Sequence, residues 1–261
     1  MVRSRVAAAA ALVAGLLATG AHAEGLYLFV IPTAVRGDAA VEPRLPLRIA
    51  AYVPEPATYR ALLALPDDAV RADRVELVLS GSSRLAPADP AAFLASSFLV
   101  DHAEPAVARL RAELVRQHGD APSPTELVEF VRSAIEHKEL GRGWDVASRV
   151  AATRAGDCTE HAVLLAALAR SVGRPARVVI GAALVSAGGR FATLGHAWAE
   201  LYDGARWQVA DAALEPEVAP LGYLPFGVLA DEGPGHMLAL ARLSATTWIS
   251  RVEILGNEPG S

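Results

Sequence analysis

Cys158 is the only cysteine in the chain. A turn signal, Ala155-Gly156-Asp157, stands before it. A run of helix-favouring residues, Ala162 to Ala169, follows, and Gly173 and Pro175 stop that run. The pattern places Cys158 in the first turn of a largely buried helix, where unpaired backbone N–H groups and the positive end of the dipole gather. That position favours a thiolate over a thiol and offers backbone donors to an oxyanion. Downstream, His196 lies just inside a strand after Gly195, and Asp211 ends the following strand. Asp203-Gly204 reads as a tight turn roughly equidistant from both, so His196 and Asp211 are expected as cross-strand neighbours. A thiol, an imidazole and a carboxylate in this relation form a nucleophilic triad. The imidazole takes the thiol proton, and the carboxylate fixes its tautomer and supports its positive charge.

Two blander readings of these residues stand beside that one. A lone cysteine is commonly an inert, buried small hydrophobe, but this one sits at a turn-to-helix junction beside Asp157 and Glu160. Cys158 and His161 have the spacing of half a zinc site, with His196 and Asp211 or His236 to complete it. Zinc would occupy the thiolate that the triad needs, so no metal and no cofactor are expected. His161 is expected with its ring hydrogen-bonded near the nucleophile. Trp198 and Glu200 share the His196 face of their strand and are expected at or just behind the cleft. Asp157 and Arg154 flank the nucleophile and are expected to bind substrate or brace the loop.

The elements that must position these groups read as α+β. Gly25–Ile31, Leu45–Val53 and Arg74–Leu79 are strand candidates, Ala57–Leu65 is a short helix, and Ser80–Ser83 is a turn. Helical patterns cover Ala106–His118, then a stretch opened by Ser123-Pro124 and broken by Gly141-Arg-Gly143, then Asp145–Ala152. After Pro175 the period changes to strand: Ala176–Val185, a Gly188-Gly189 hairpin turn, Phe191–Tyr202 and Arg206–Asp211. Helices therefore precede an antiparallel meander. Glu215–Pro234 reads as Pro- and Gly-rich loop, a candidate cover for the cleft. Leu238–Leu243 and Thr246–Leu255 form a closing strand or helix pair. Three parts result: a leader over residues 1–23, a small β-rich region over 24–100, and the chemical domain over 101–261.

The leader has the pattern of a cleavable signal peptide. Arg3 and Arg5 form a basic start, an apolar run extends to Leu17, and Ala21-His-Ala23 is an A-x-A cleavage site. The apolar run is too short for a good transmembrane helix. A periplasmic or secreted protein is expected, with no stable membrane insertion after cleavage. The net charge of −5 becomes about −7 once Arg3 and Arg5 are removed. With no basic cluster, nucleic acid is not an expected partner. A single thiol cannot form an intrachain disulfide, and its persistence in an oxidising compartment points to a use.

Gly156-Asp-Cys-Thr-Glu-His-Ala162, continued by Ala167-Leu-Ala-Arg-Ser-Val-Gly-Arg-Pro-Ala-Arg-Val178, resembles the cysteine motif of the bacterial transglutaminase-like superfamily. Gly195-His-Ala-Trp-Ala-Glu200 resembles its histidine motif, and Arg206-Trp-Gln-Val-Ala-Asp211 its aspartate motif. The clear match runs over about Pro105–Ala213 and more weakly to Leu255. The resemblance implies a papain-like fold with Cys158 as nucleophile, His196 as base and Asp211 as orienting acid. Two features depart from the family: Ala212 stands where a proline often follows the aspartate, and the aromatic that assists the oxyanion has no certain counterpart. Trp144 is the nearest upstream candidate for it; the backbone N–H of Cys158 is the safer donor.

Family members cross-link, hydrolyse or deamidate, and some have lost catalysis, so the fold does not decide the reaction. The expectation is an exported thiol enzyme acting on amide bonds through an acyl-enzyme, more by hydrolysis than by cross-linking. Its substrate would be a protein or a peptidoglycan peptide. The alternative is a non-catalytic protein- or cell-wall-binding module on the same fold.

Overall fold

The computed structural model describes residues 29–37, 41–42, 45–79, 84–139, 143–187, 190–214, 220–230 and 232–258. The leader over 1–23, the Ser80–Ser83 and Gly188-Gly189 turns, and most of the Gly141-Arg-Gly143 break lie outside the described residues. In chain order the elements are β1 (Val30–Ile31), β2 (Thr33–Val35), β3 (Leu47–Tyr52), α1 (Pro56–Leu62), β4 (Val70–Arg71), β5 (Arg74–Leu79), α2 (Pro105–His118), α3 (Pro124–Ala134), α4 (Ala147–Thr153) and α5 (Cys158–Ser171). They continue with β6 (Ala176–Ala187), β7 (Arg190–Tyr202), β8 (Trp207–Ala210), β9 (Gly222–Val228), α6 (His236–Thr247) and β10 (Arg251–Asn257). The fold is α+β, with helices followed by an antiparallel sheet and strands in the N-terminal region. No helix among the described residues is long and apolar enough to cross a membrane.

The helices start where local chemistry supplies missing partners. Ser123 caps α3 by accepting from the Glu126 N–H while the Glu126 carboxylate accepts from the Ser123 N–H, with Pro124 in the first turn. Asp157 and Glu160 form the same reciprocal box at the start of α5. Every residue of α5 from Cys158 to Arg170 is buried. Helices α2, α3 and α4 pack around it, and β6 and β7 lie against it. A helix apolar on nearly all sides is the signature of a core element.

The first sheet runs β1-β7-β6-β9, with β8 also paired to β7. In it Gly181 stands opposite His196. A Cβ on Gly181 would lie 2.3 Å from the Leu224 carbonyl and 2.8 Å from the Trp198 ring, so the glycine lets β9 and Trp198 close over this point. The second sheet runs β2-β10-β3-β5-β4, and its apolar residues include Leu47, Ile49, Val75, Leu77, Val252 and Ile254. The closing strand β10 thus lies between β2 and β3, beside strands from the opposite end of the sequence.

Three local expectations change. Residues 222–228, read as loop, form strand β9 on the edge of the first sheet, where Pro225 is tolerated because it has no N–H to donate. The β7–β8 connection is not the two-residue turn Asp203-Gly204: Tyr202 pairs with Trp207, so residues 203–206 form the loop. Of the closing pair, the first member is helix α6 and the second strand β10.

Candidate active site

Cys158 is the first residue of α5 and is 3% exposed. The loop before it is held by carboxylates. Asp157 Oδ1 accepts from the Thr159 N–H and hydroxyl, both at 2.9 Å. Glu160 Oε2 accepts from the Asp157 N–H at 2.9 Å, and its Oε1 from the Asp145 N–H at 3.1 Å. Burial, then the neighbouring Asp157 carboxylate, raises the Glu160 pKa, opposed by these backbone N–H donors. Gly156 makes the arrangement possible, since a Cβ there would lie 2.2 Å from the Glu160 Cβ. Arg154 takes the left-handed conformation that ends α4 and reaches Glu113 at 3.3 Å, so it braces the loop from outside.

His196 is 1% exposed on β7, and its Nε2 lies 2.7 Å from Asp211 Oδ2. The four-residue loop sets Asp211 just beyond β8, diagonal to His196 rather than directly opposite, and the carboxylate reaches back across the pleat. Asp211 is held at both oxygens. Oδ1 accepts from the Ala213 N–H at 2.9 Å and the Leu214 N–H at 3.2 Å, and Oδ2 also accepts from the Tyr223 hydroxyl at 2.9 Å. Arg132 on α3 donates to the carbonyls of Asp211 and Leu214, fixing the same turn from behind.

The electrostatics follow from these contacts. Burial pulls the His196 pKa down, but the Asp211 charge and hydrogen bond, with a smaller contribution from Cys158, outweigh it and raise the value to about 10. Burial pushes the Asp211 carboxyl up, and the imidazolium, the backbone donors and the Tyr223 hydroxyl bring it down to about 2. The second ring nitrogen of His196, Nδ1, is buried and has no partner in ordinary hydrogen-bond geometry, while Cys158 is near enough to act on the ring.

The remaining expected residues divide. Trp198 is buried on the His196 face, its ring 6.2 Å from the imidazole and 4.8 Å from Tyr223. His161 donates from Nδ1 to the Asp157 carbonyl at 2.6 Å, and burial chiefly lowers its pKa to about 4, so it is a neutral brace of the cap. Glu200 is 1% exposed and its carboxylate is engaged. It forms a buried pair with Arg177 at 2.6 Å, with the guanidinium lying 4.4 Å over the Trp207 ring. Trp144 packs edge-on to His236 at 6.3 Å. No group of three His, Cys, Asp or Glu side chains among the described residues is placed to hold a metal. Tyr223 was hidden from sequence reasoning inside the segment read as loop. Its alternation with Leu224 and Phe226 was the available signal.

Residues 109–212 match the family model of the Transglutaminase-like superfamily. No curated protein matches the chain. Among solved structures, a candidate cysteine protease from Cytophaga hutchinsonii shares 22% identity at a TM-score of 0.44, over 66% of this chain and 53% of that one. The periplasmic domain of TgpA from Pseudomonas aeruginosa shares 26% identity at a TM-score of 0.30, over 40% of this chain and 41% of that one. Its ethylmercury-bound form shares 26% identity at a TM-score of 0.30, over 42% and 46%. The chain spans about half the length of the solved structures it matches. Cys158, His196 and Asp211 all fall within the residues that match the Transglutaminase-like superfamily model.

Proposed function

We propose that this protein is an exported thiol enzyme that cleaves amide bonds through an acyl-enzyme on Cys158. The observation that carries the reading is His196, buried with Asp211 on one ring nitrogen and with Cys158 near enough to act on the ring. The thiolate attacks the amide carbonyl carbon, and the N–H groups at the start of α5 are placed to receive the oxyanion. The C–N bond then breaks as the imidazolium gives its proton to the leaving amine. Water attacks the thioester, its proton passes to His196, and the acid leaves with Cys158 restored as thiolate.

Water is the favoured acceptor. Dilute amines compete poorly with water unless a site gathers them, and the two carboxylates beside the nucleophile already have donors. Asp157 is engaged by Thr159, and Glu160 by the N–H groups of Asp157 and Asp145. The leader pattern supports export, and extracytoplasmic proteins or peptidoglycan peptides are the substrate classes within reach.

The test is the rate of Cys158 alkylation by iodoacetamide across pH, in the wild type and in His196→Ala. Labelling at pH 6 is expected to be at least about tenfold slower in the variant, because the cation that holds the thiolate is gone. Equal rates with an ordinary thiol profile in both would sink the enzyme reading and leave a binding module. Adding a primary amine to a turnover reaction then decides the acceptor by product mass, acid for hydrolysis and amide for cross-linking.

A further inference from the structure

We infer that His161 is a positioning residue for the oxyanion: it fixes and polarises the Asp157–Cys158 peptide, whose N–H is the one donor at the head of α5 still without an acceptor. The inference rests on the thiol-enzyme reading above and deepens it. Four N–H groups at a helix start have no acceptor within the helix, those of the N-cap residue and of the three residues after it. In α5 they belong to Asp157, Cys158, Thr159 and Glu160. Glu160 Oε2 takes the Asp157 N–H at 2.9 Å. The Asp157 carboxylate takes the Thr159 N–H at 2.9 Å, and the Glu160 N–H as well. The Cys158 N–H is left, with no acceptor among the described residues. The cap thus narrows the backbone oxyanion donor of α5 to the residue that carries the nucleophile.

The carbonyl of that same peptide unit has two donors. It accepts from the His161 N–H at 3.1 Å, the ordinary first bond of a helix. It also accepts from His161 Nδ1 at 2.6 Å, a bond that helix geometry does not require. A carbonyl only accepts, so the ring proton sits on Nδ1. His161 is 2% exposed, and burial chiefly brings its pKa down to about 4, against the bond to Asp157 and with the help of the Lys138 charge. The ring therefore stays neutral and in one tautomer.

Peptide planarity carries this constraint to the donor. The C=O and N–H of a trans peptide lie in one plane and point in opposite directions. Two bonds that anchor the carbonyl therefore aim the Cys158 N–H outward from the head of the helix. A carbonyl drawn on by a second donor also makes its own N–H a stronger one. Glu160 sets the peptide before Asp157 and His161 the peptide after it, so side chains from the first turn of α5 hold both units that lead to the sulfur.

Two probes of Cys158 separate an oxyanion effect from any other. With p-nitrophenyl acetate the thiolate attacks the ester carbonyl, an oxyanion forms, and a thioester results as p-nitrophenolate leaves. With iodoacetamide the thiolate displaces iodide at a methylene carbon, and no oxyanion forms. In His161→Phe the acylation rate is expected to fall about tenfold, less than outright loss of a donor costs. Iodoacetamide labelling of the same preparation at pH 6 is expected to stay within about twofold of wild type. His161→Asn, whose amide can donate from the position of Nδ1, is expected to recover most of the acylation rate. His161→Leu, smaller and equally without a donor, is read the same way if His161→Phe does not fold. Equal loss with both probes means that His161 only holds the loop, and unchanged acylation means that the peptide does not need the ring; either overturns the inference. Failure of the thiol-enzyme reading shows separately, as iodoacetamide labelling of the wild type that does not depend on His196.

Discussion

Two buried ion pairs stand four residues apart on one face of β7. At one end His196 meets Asp211 at 2.7 Å, and at the other Glu200 meets Arg177 at 2.6 Å. Both are largely buried, both tie β7 to neighbouring chain, and both set a cation against a carboxylate. The difference lies in the cation. A guanidinium keeps its protons throughout the accessible pH range, so the Arg177 pair can only hold the sheet together. An imidazole has two distinct nitrogens and can release a proton. Asp211 occupies one of them, and the other is buried without a hydrogen-bond partner. Similar geometry thus sets a cation that keeps its protons at one end of the strand and one that can release a proton at the other.

The comparison breaks most readily at His196. His196→Ala is expected to lower amide hydrolysis by on the order of 10³, the usual worth of a positioned base, and to lower stability as well, because Asp211 loses its buried counter-charge. A variant that kept turnover would make the two pairs equivalent. Glu200→Gln is expected to cost stability alone. Leaving a buried guanidinium without its counter-charge costs about 3–5 kcal/mol of folding stability, read by urea unfolding, while the rate per folded molecule stays near wild type. Loss of rate without loss of stability would put Glu200 back in the chemistry.

Asp211→Asn sharpens the contrast through pH. The imidazolium must survive to protonate the leaving amine, so wild-type turnover is expected to fall as pH rises through about 10. Without the Asp211 charge that limb moves to lower pH, and the maximal rate drops. Stability follows the same logic. The raised His196 pKa contributes fully below its unfolded value of 6.5 and is lost as pH climbs to about 10. The depressed Asp211 pKa contributes fully above 3.8 and is lost as pH falls towards about 2. The pair therefore stabilises most between about pH 4 and 6.5, and chemical denaturation in Asp211→Asn is expected to lose both slopes. The smallest effect is expected from Tyr223→Phe. Removing one of two donors on Asp211 Oδ2 costs about 1 kcal/mol, seen as acid unfolding that begins at higher pH.

Much of the candidate site was legible before any coordinates. The turn before Cys158, the helix after it and the face alternation of β7 are local properties, and they fix which residues stand at the head of the helix and on the strand. What was not legible depended on partners. Alternation put Glu200 on the His196 face but could not show that Arg177, opposite it on β6, would claim the carboxylate. The pairing of Tyr202 with Trp207, and so the diagonal reach of Asp211, depends on a loop whose length the Asp203-Gly204 signal understated. Tyr223 was lost because Pro225 and the flanking glycines of β9 look like loop until an edge position makes them acceptable.

The insertion of β10 between β2 and β3 has a consequence for how the chain acquires its structure. Thr33 and Ala51 are joined through Val252, so the second sheet cannot close until nearly the whole polypeptide is present. The helices around α5 and the β6–β7 hairpin are built from contacts near in sequence and are free to form early, whereas loop-closure entropy delays the strand that ties the two ends together. A protein shortened before residue 251 would retain the reacting groups yet expose the edges of β2 and β3, which is a template for aggregation.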